Sequence, residues 1–203
     1  MAVHYDPRLR LKEARQQYFT ANRFGDDGGY ALRWVPVKAL GLSFKIPNSD
    51  ARRRAVRAHD LHHVLTGYAT DFLGEAEIGA WELASGCASH PAALLLNLLA
   101  INLGIFYGPR RLIRAFARGR RTANLYRVPF DEALLGRNLG QVRGGLGLDA
   151  PEPSPRSSDV IGFAFTWLSS VVVAWALLAL LLTPLVGAVF AIRHFLLSWP
   201  GLR

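Results

Sequence analysis

The stretch His59-Asp60-Leu61-His62-His63-Val64-Leu65-Thr66-Gly67, followed by Gly74-Glu75, decides how the rest of the chain is read. The residues on either side of it have helical character, so His59 and His63, four apart, share one helix face, and Asp60 lies at the edge of the same patch. Gly67 is a helix stop, and Tyr68 to Leu73 is a short return loop. Glu75 then opens a second helix, expected over 74–83, that faces the patch. Two imidazoles and two carboxylates converging from adjacent helices suit a divalent metal: zinc, and equally manganese, iron or cobalt. Histidines four apart also occur as ordinary core or surface residues. Residue chemistry alone leaves both readings open.

Composition narrows the setting. Hydrophobic residues make up 51% of the 203 and charged residues 19%, which is richer in apolar groups than an ordinary soluble domain. A net charge of +9 favours an anionic partner, and the apolar excess points to lipid. No nucleic-acid motif accompanies the charge, so nucleic acid is set aside. Cys87 is the only cysteine, which excludes an internal disulfide and suits a reducing compartment. The polar N-terminus lacks the apolar run of a signal peptide.

Outward from the histidines, residues 6–23 form a first basic helix with Leu9, Leu11, Ala14, Tyr18 and Phe19 as its apolar side. Residues 30–45 show no clean period. Asn48 or Ser49 caps the helix that carries the histidines. After the Glu75 helix, Pro91 to Phe106 is apolar nearly all round but short of the ~20 residues a span needs, so it is expected to be a core helix. Glu77 and Glu82 are expected to be surface charges. Pro109 to Arg121 is an arginine-rich amphipathic segment, either a solvated face or a membrane contact, with Arg110, Arg111 and Arg114 the candidates for a lipid headgroup. Residues 124–148 start extended around Val128-Pro129-Phe130 and turn helical from Asp131.

The composition then changes. Residues 149–158 are a Pro/Ser linker, and Val160 to Ile192 carries no charge. That run is about 50 Å of helix against a hydrocarbon core of about 30 Å. Thr183-Pro184 is expected to divide it, leaving Val160–Leu182 as a transmembrane helix and Leu185–Trp199 as a piece that returns, lies at the interface or continues past a kink. The reading is an all-α helical domain with a metal-binding helix pair over 1–148, the linker 149–158, and a transmembrane anchor over 159–203. The arginine-rich bulk precedes the span, which places the main domain on the cytoplasmic side of the inner membrane.

His59-x-x-His62-His63 also fits one histidine box of membrane di-iron hydroxylases. Those enzymes need several, and His4, His90 and His194 stand singly. The pattern His59-Asp60-x-x-His63, eleven residues, then Glu75, resembles more specifically the signature of the coenzyme Q biosynthesis protein 4 family. Arg118 to Leu139 (Arg-Gly-Arg-Arg-Thr-Ala-Asn-Leu-Tyr-Arg-Val-Pro-Phe-Asp-Glu-Ala-Leu-Leu-Gly-Arg-Asn-Leu), ending in Arg143-Gly-Gly-Leu-Gly, resembles that family's closing segment. The resemblance covers about residues 48–148. Residues 24–47 match poorly, and the family pattern has no counterpart to the segment from 149 onward.

The resemblance implies a helical fold and a zinc ion held by His59, Asp60, His63 and Glu75, with His62 on a variable position. It also implies action in ubiquinone biosynthesis on a polyprenylated hydroxybenzoate, an oxidative lyase replacing the ring carboxylate with hydroxyl. Alternatively it implies a non-catalytic scaffold that binds the prenyl lipid and organises other enzymes of the pathway. Ala92–Phe106 is the candidate wall for the isoprenoid tail, and Glu75, arriving from the second helix, the mobile ligand. Zinc is not redox-active and no flavin or nicotinamide fingerprint is present, so the electrons go to oxygen or the working metal is another.

Overall fold

The structure is a computed structural model that describes residues 4–39 and 42–198. It is mostly helical. Helix α1 spans Leu11–Asn22 and buries Leu11, Ala14, Tyr18 and Phe19, the expected apolar side, with Leu9 half-buried ahead of it. Next comes an element that an all-α reading omits: an antiparallel hairpin of β1 (Trp34–Ala39) and β2 (Leu42–Pro47), registered with Trp34 opposite Pro47 and Val35 opposite Ile46. Its apolar alternation is short and broken by Pro36. In a two-stranded ribbon both strands are edges, so a proline costs no ladder bond that must be made.

Helix α2 (Asp50–Thr66) is capped by Ser49, whose hydroxyl accepts from the Arg52 N–H at 3.2 Å. Asn48, the other cap candidate, instead donates its side-chain amide to the Leu32 carbonyl at 2.8 Å and pins the preceding loop. Helix α3 (Phe72–Ser85) is capped by Asp71 and starts two residues before the expected Gly74. Helix α4 (Pro91–Gly104) is the apolar segment, and α5 (Pro109–Gly119) is the arginine-rich one. Short helices α6 (Glu132–Leu135), capped by Asp131 as expected, and α7 (Leu139–Gly145) close the domain. One core joins α1, α2, α3, α5 and the closing helices through Phe19, Leu61, Leu65, Ile78, Trp81 and Leu112, all at most 1% exposed.

Residues 151–156 carry no helix or strand, and α8 then runs from Ser157 to Ser198. This one helix is long and apolar enough to cross a membrane. It runs unbroken through Pro184, so the expected division at Thr183-Pro184 does not end the helix; Trp199 lies outside the described residues. Pro184 removes the N–H that would meet the Leu180 carbonyl, but an apolar helix offers its backbone no alternative partner; one residue earlier, the Thr183 hydroxyl donates to the Ala179 carbonyl at 2.8 Å. The first turns of α8 pack on the domain. Asp159 accepts from Arg120 and Arg121 at 3.0 and 2.7 Å, and Phe163 meets Phe116 edge-on.

Candidate metal centre

Helix geometry sets the first two groups. His59 and His63 lie one turn apart on α2, and their Nε2 atoms are 3.1 Å apart. Gly67 ends α2 in the left-handed region (φ 81°), which turns the Tyr68 carbonyl back to accept from His63 Nδ1 at 2.9 Å. The start of α3 must then come close. A Cβ on Gly74 would lie 2.2 Å from the Ala69 carbonyl oxygen, so only glycine permits this approach. Glu75 follows, with Oε2 3.2 Å from His59 Nε2 and Oε1 3.3 Å from His63 Nε2.

The two imidazoles are oriented from behind. His59 Nδ1 donates to Glu82 Oε1 at 2.9 Å, as His63 Nδ1 does to the Tyr68 carbonyl. With protons on both Nδ1 atoms, the Nε2 atoms present lone pairs to each other and to a carboxylate. Such a group repels itself unless it shares a cation. The two nitrogens are 3.1 Å apart and lie 3.2 and 3.3 Å from different oxygens of Glu75, and one ligand atom from each of the three residues falls within 4.8 Å of the others, close enough to share one ion. A carboxylate and a backbone carbonyl on the outer nitrogens are the supports that metal-bound imidazoles use. The donor set of His59, His63 and Glu75 therefore fits a divalent ion.

Asp60, the fourth expected ligand, borders the same cavity but stands outside this group. Its Oδ2 accepts from the Tyr30 hydroxyl at 2.6 Å and its Oδ1 from the Tyr18 hydroxyl at 3.4 Å. Burial raises the Asp60 pKa, against the Tyr30 bond and the two histidines, which lower it. The same burial, with Asp60 beside them, pushes both phenols well up, so they stay protonated donors. Both His62 nitrogens are engaged within the protein: Nδ1 donates to Glu82 at 2.6 Å and Nε2 accepts from the Leu125 N–H at 2.9 Å.

Glu82 overturns its expected place on the surface. It is fully buried and accepts four hydrogen bonds, from His59, His62, Asn97 (2.7 Å) and the Tyr126 hydroxyl (2.6 Å). Burial would raise its pKa, but the two imidazoles outweigh that and hold the carboxyl well below the usual range. The signal was available as spacing: Glu82 is seven residues after Glu75, on the same face of α3. Glu77 is also buried, paired with Arg111 at 2.8 Å, so of the headgroup candidates Arg111 is engaged with the protein. Arg110 and Arg114 are exposed and have no ion pair among the described residues.

A cavity of about 600 Å³ opens on the centre, with His59, Asp60 and Glu75 in its wall. The rest of its lining is largely apolar, including Phe24, Leu32, Val35, Val56, and Leu96 and Ala100 of α4. Leu96 and Ala100 belong to the apolar stretch 92–106. Two cations border it, Arg23 and Arg52; Arg52 lies two turns before His59 on α2. No family model, curated protein or solved structure matches the chain.

Proposed function

We propose that this chain is a membrane-anchored, metal-dependent enzyme of ubiquinone biosynthesis that replaces the ring carboxylate of a polyprenylated hydroxybenzoate with a hydroxyl. The carboxylate leaves as carbon dioxide while dioxygen, as the oxidant, supplies the hydroxyl oxygen and, with a water consumed, is reduced to hydrogen peroxide. One observation carries the reading: His59, His63 and Glu75 each offer a ligand atom within 4.8 Å of the others, and His59 and Glu75 of this group stand in the wall of a largely apolar cavity. A polar aromatic head with a long hydrocarbon tail is the ligand class that such a cavity suits.

His59, His63 and Glu75 would hold the ion, with Asp60 beside them. When bound, Zn2+ or another divalent metal supplies Lewis-acid stabilisation of the carboxylate or phenolate oxygen. Arg52 offers a fixed positive charge to the other acidic group of the ring. Tyr18 and Tyr30 hold Asp60 in place, and Tyr18 stacks on His63 with ring centroids 5.7 Å apart, which keeps water from that side. Apolar α4 and the β-hairpin shelter the tail. On this reading the main domain would lie on the cytoplasmic side, with Arg110 and Arg114, both exposed, toward anionic lipid headgroups.

The second reading, a non-catalytic prenyl-lipid scaffold for other quinone-synthesis enzymes, draws on the Glu82 network, which ties α2, α3, α4 and the Tyr126 segment together. Carboxyl loss from a prenyl-hydroxybenzoate under air, measured with wild type and His63→Ala, separates the two. Turnover lost in a variant that stays folded and still binds lipid supports the enzyme. No turnover by metal-loaded wild type, with unfolding when metal is stripped, supports the scaffold.

A further inference from the structure

Helix α8 has two unlike halves. From Asp159 to Ala174 one stripe is buried or half-buried, through Phe163, Trp167 and Ser170. From Trp175 to Phe195 every described side chain is exposed. The docked half also holds the polar residues Thr166, Ser169 and Ser170, whereas Trp175–Ile192 contains only Thr183.

The domain's level along α8 is fixed twice. Arg120 bonds Asp159, and Phe116 meets Phe163, so α5 descends as α8 rises, four residues for four. Seven residues further, about 10 Å along each helix, Pro109 comes level with Ser170. Independently, the Asn102 side-chain amide donates to the Ser170 hydroxyl at 3.2 Å. The α4–α5 corner thus sits at the end of the docked half, one to two turns before Trp175. That corner carries Phe106 (75% exposed) and Tyr107 (73%), with Phe72 of α3 against Tyr107 edge-on. Arg110 follows directly, and Trp175 is 66% exposed.

We propose that only the second half of α8, Trp175 to Ile192, crosses the bilayer, and that Phe72, Phe106, Tyr107 and Trp175 form an aromatic ring seated at the surface of an anionic membrane. The inference rests on reading α8 as a membrane span, and it moves that span fifteen residues along. Eighteen residues make about 27 Å of helix, which matches the hydrocarbon core, and Arg193 then reaches the far headgroups. Aromatic residues belong at such an interface, and Arg110 stands at headgroup level. A span over Val160–Leu182 would instead set Ser170 at mid-bilayer. The α4–α5 corner would sink with it, burying the exposed Arg110 and Arg114 in hydrocarbon. It would also leave Val186, Val189, Phe190 and Ile192 in water.

The test is thiol reactivity of the full chain in vesicles of phosphatidylcholine and phosphatidylglycerol, using a maleimide that crosses bilayers and so finds water on either side. Cys87 is buried, and wild type serves as the blank. Phe165→Cys and Leu168→Cys are expected to react, and Leu178→Cys, Leu182→Cys and Val189→Cys to stay unlabelled. Protection at both 165 and 168, or reaction at 178, 182 or 189, overturns the placement. Reaction at all five positions overturns the membrane span itself. A dye on Phe106→Cys should be quenched more strongly by a headgroup nitroxide than by one at the acyl end, and the opposite order overturns the surface ring.

Discussion

Nε2 of His59 and Nε2 of His63 face each other at 3.1 Å, and the outer nitrogen of each ring is already committed, one to Glu82 and the other to the Tyr68 carbonyl. Two lone pairs at that distance require a cation between them. A proton can be that cation, and a metal held by the group would take its place.

The two compete, and the sign follows. Burial works against a charged His59, but Glu82 and Glu75 outweigh it and raise its pKa well above the ordinary value. Stabilisation from the protonated ring is therefore complete below the unfolded value of about 6.5 and is lost as pH rises through the raised one. Metal affinity should climb over the same window. Calorimetric titration of zinc into stripped protein, in buffers of different ionisation enthalpy between about pH 6 and 8, should show about one proton released per ion. Affinity independent of pH, with no proton release, would contradict the shared-cation account.

Glu82 supports the centre from behind. Glu82→Ala takes the acceptor from four donors, three of them buried, and should cost about 3–5 kcal/mol, whereas Glu82→Gln keeps part of the network and should cost about 1–3 kcal/mol. Chemical denaturation of the stripped protein measures both. A loss under about 1 kcal/mol for the alanine variant would show that the network contributes little.

Asp60 and Glu75 should separate in metal titrations. With its oxygens held by Tyr18 and Tyr30, Asp60 supports the site from its edge, so Asp60→Asn should weaken binding about 10–100-fold. Glu75→Gln, which removes an inner oxygen, should weaken it more. The reverse order would make Asp60 the closer ligand.

Arg52 lines the cavity and, on the proposed reading, would offer a charge-assisted hydrogen bond to a substrate acid. In the prenyl-hydroxybenzoate assay, Arg52→Ala should raise KM about tenfold or more with little change in kcat. Unchanged KM would remove Arg52 from substrate recognition.

Much of this architecture was legible in the chain. The spacing of His59, His63 and Glu75 depends only on helix periodicity and a capped return loop, both local. Ser49, Gly67 and Asp131 act through neighbours in sequence, so their roles could be read directly. Glu82 could not be placed that way, because its partners Asn97 and Tyr126 arrive from distant elements and make a buried carboxylate tolerable. The hairpin was missed because Pro36 interrupts a short alternation. Pro184 was expected to end a helix, which is sound in water and weaker where an apolar backbone has no other partner.

The most direct measurement is metal analysis of the purified full chain, wild type beside His63→Ala, with circular dichroism to show that both are folded. The account predicts about one divalent ion per wild-type chain and a large loss in the variant. Wild-type protein that carries no stoichiometric metal, and takes up none when zinc, manganese, iron or cobalt is supplied, would contradict it.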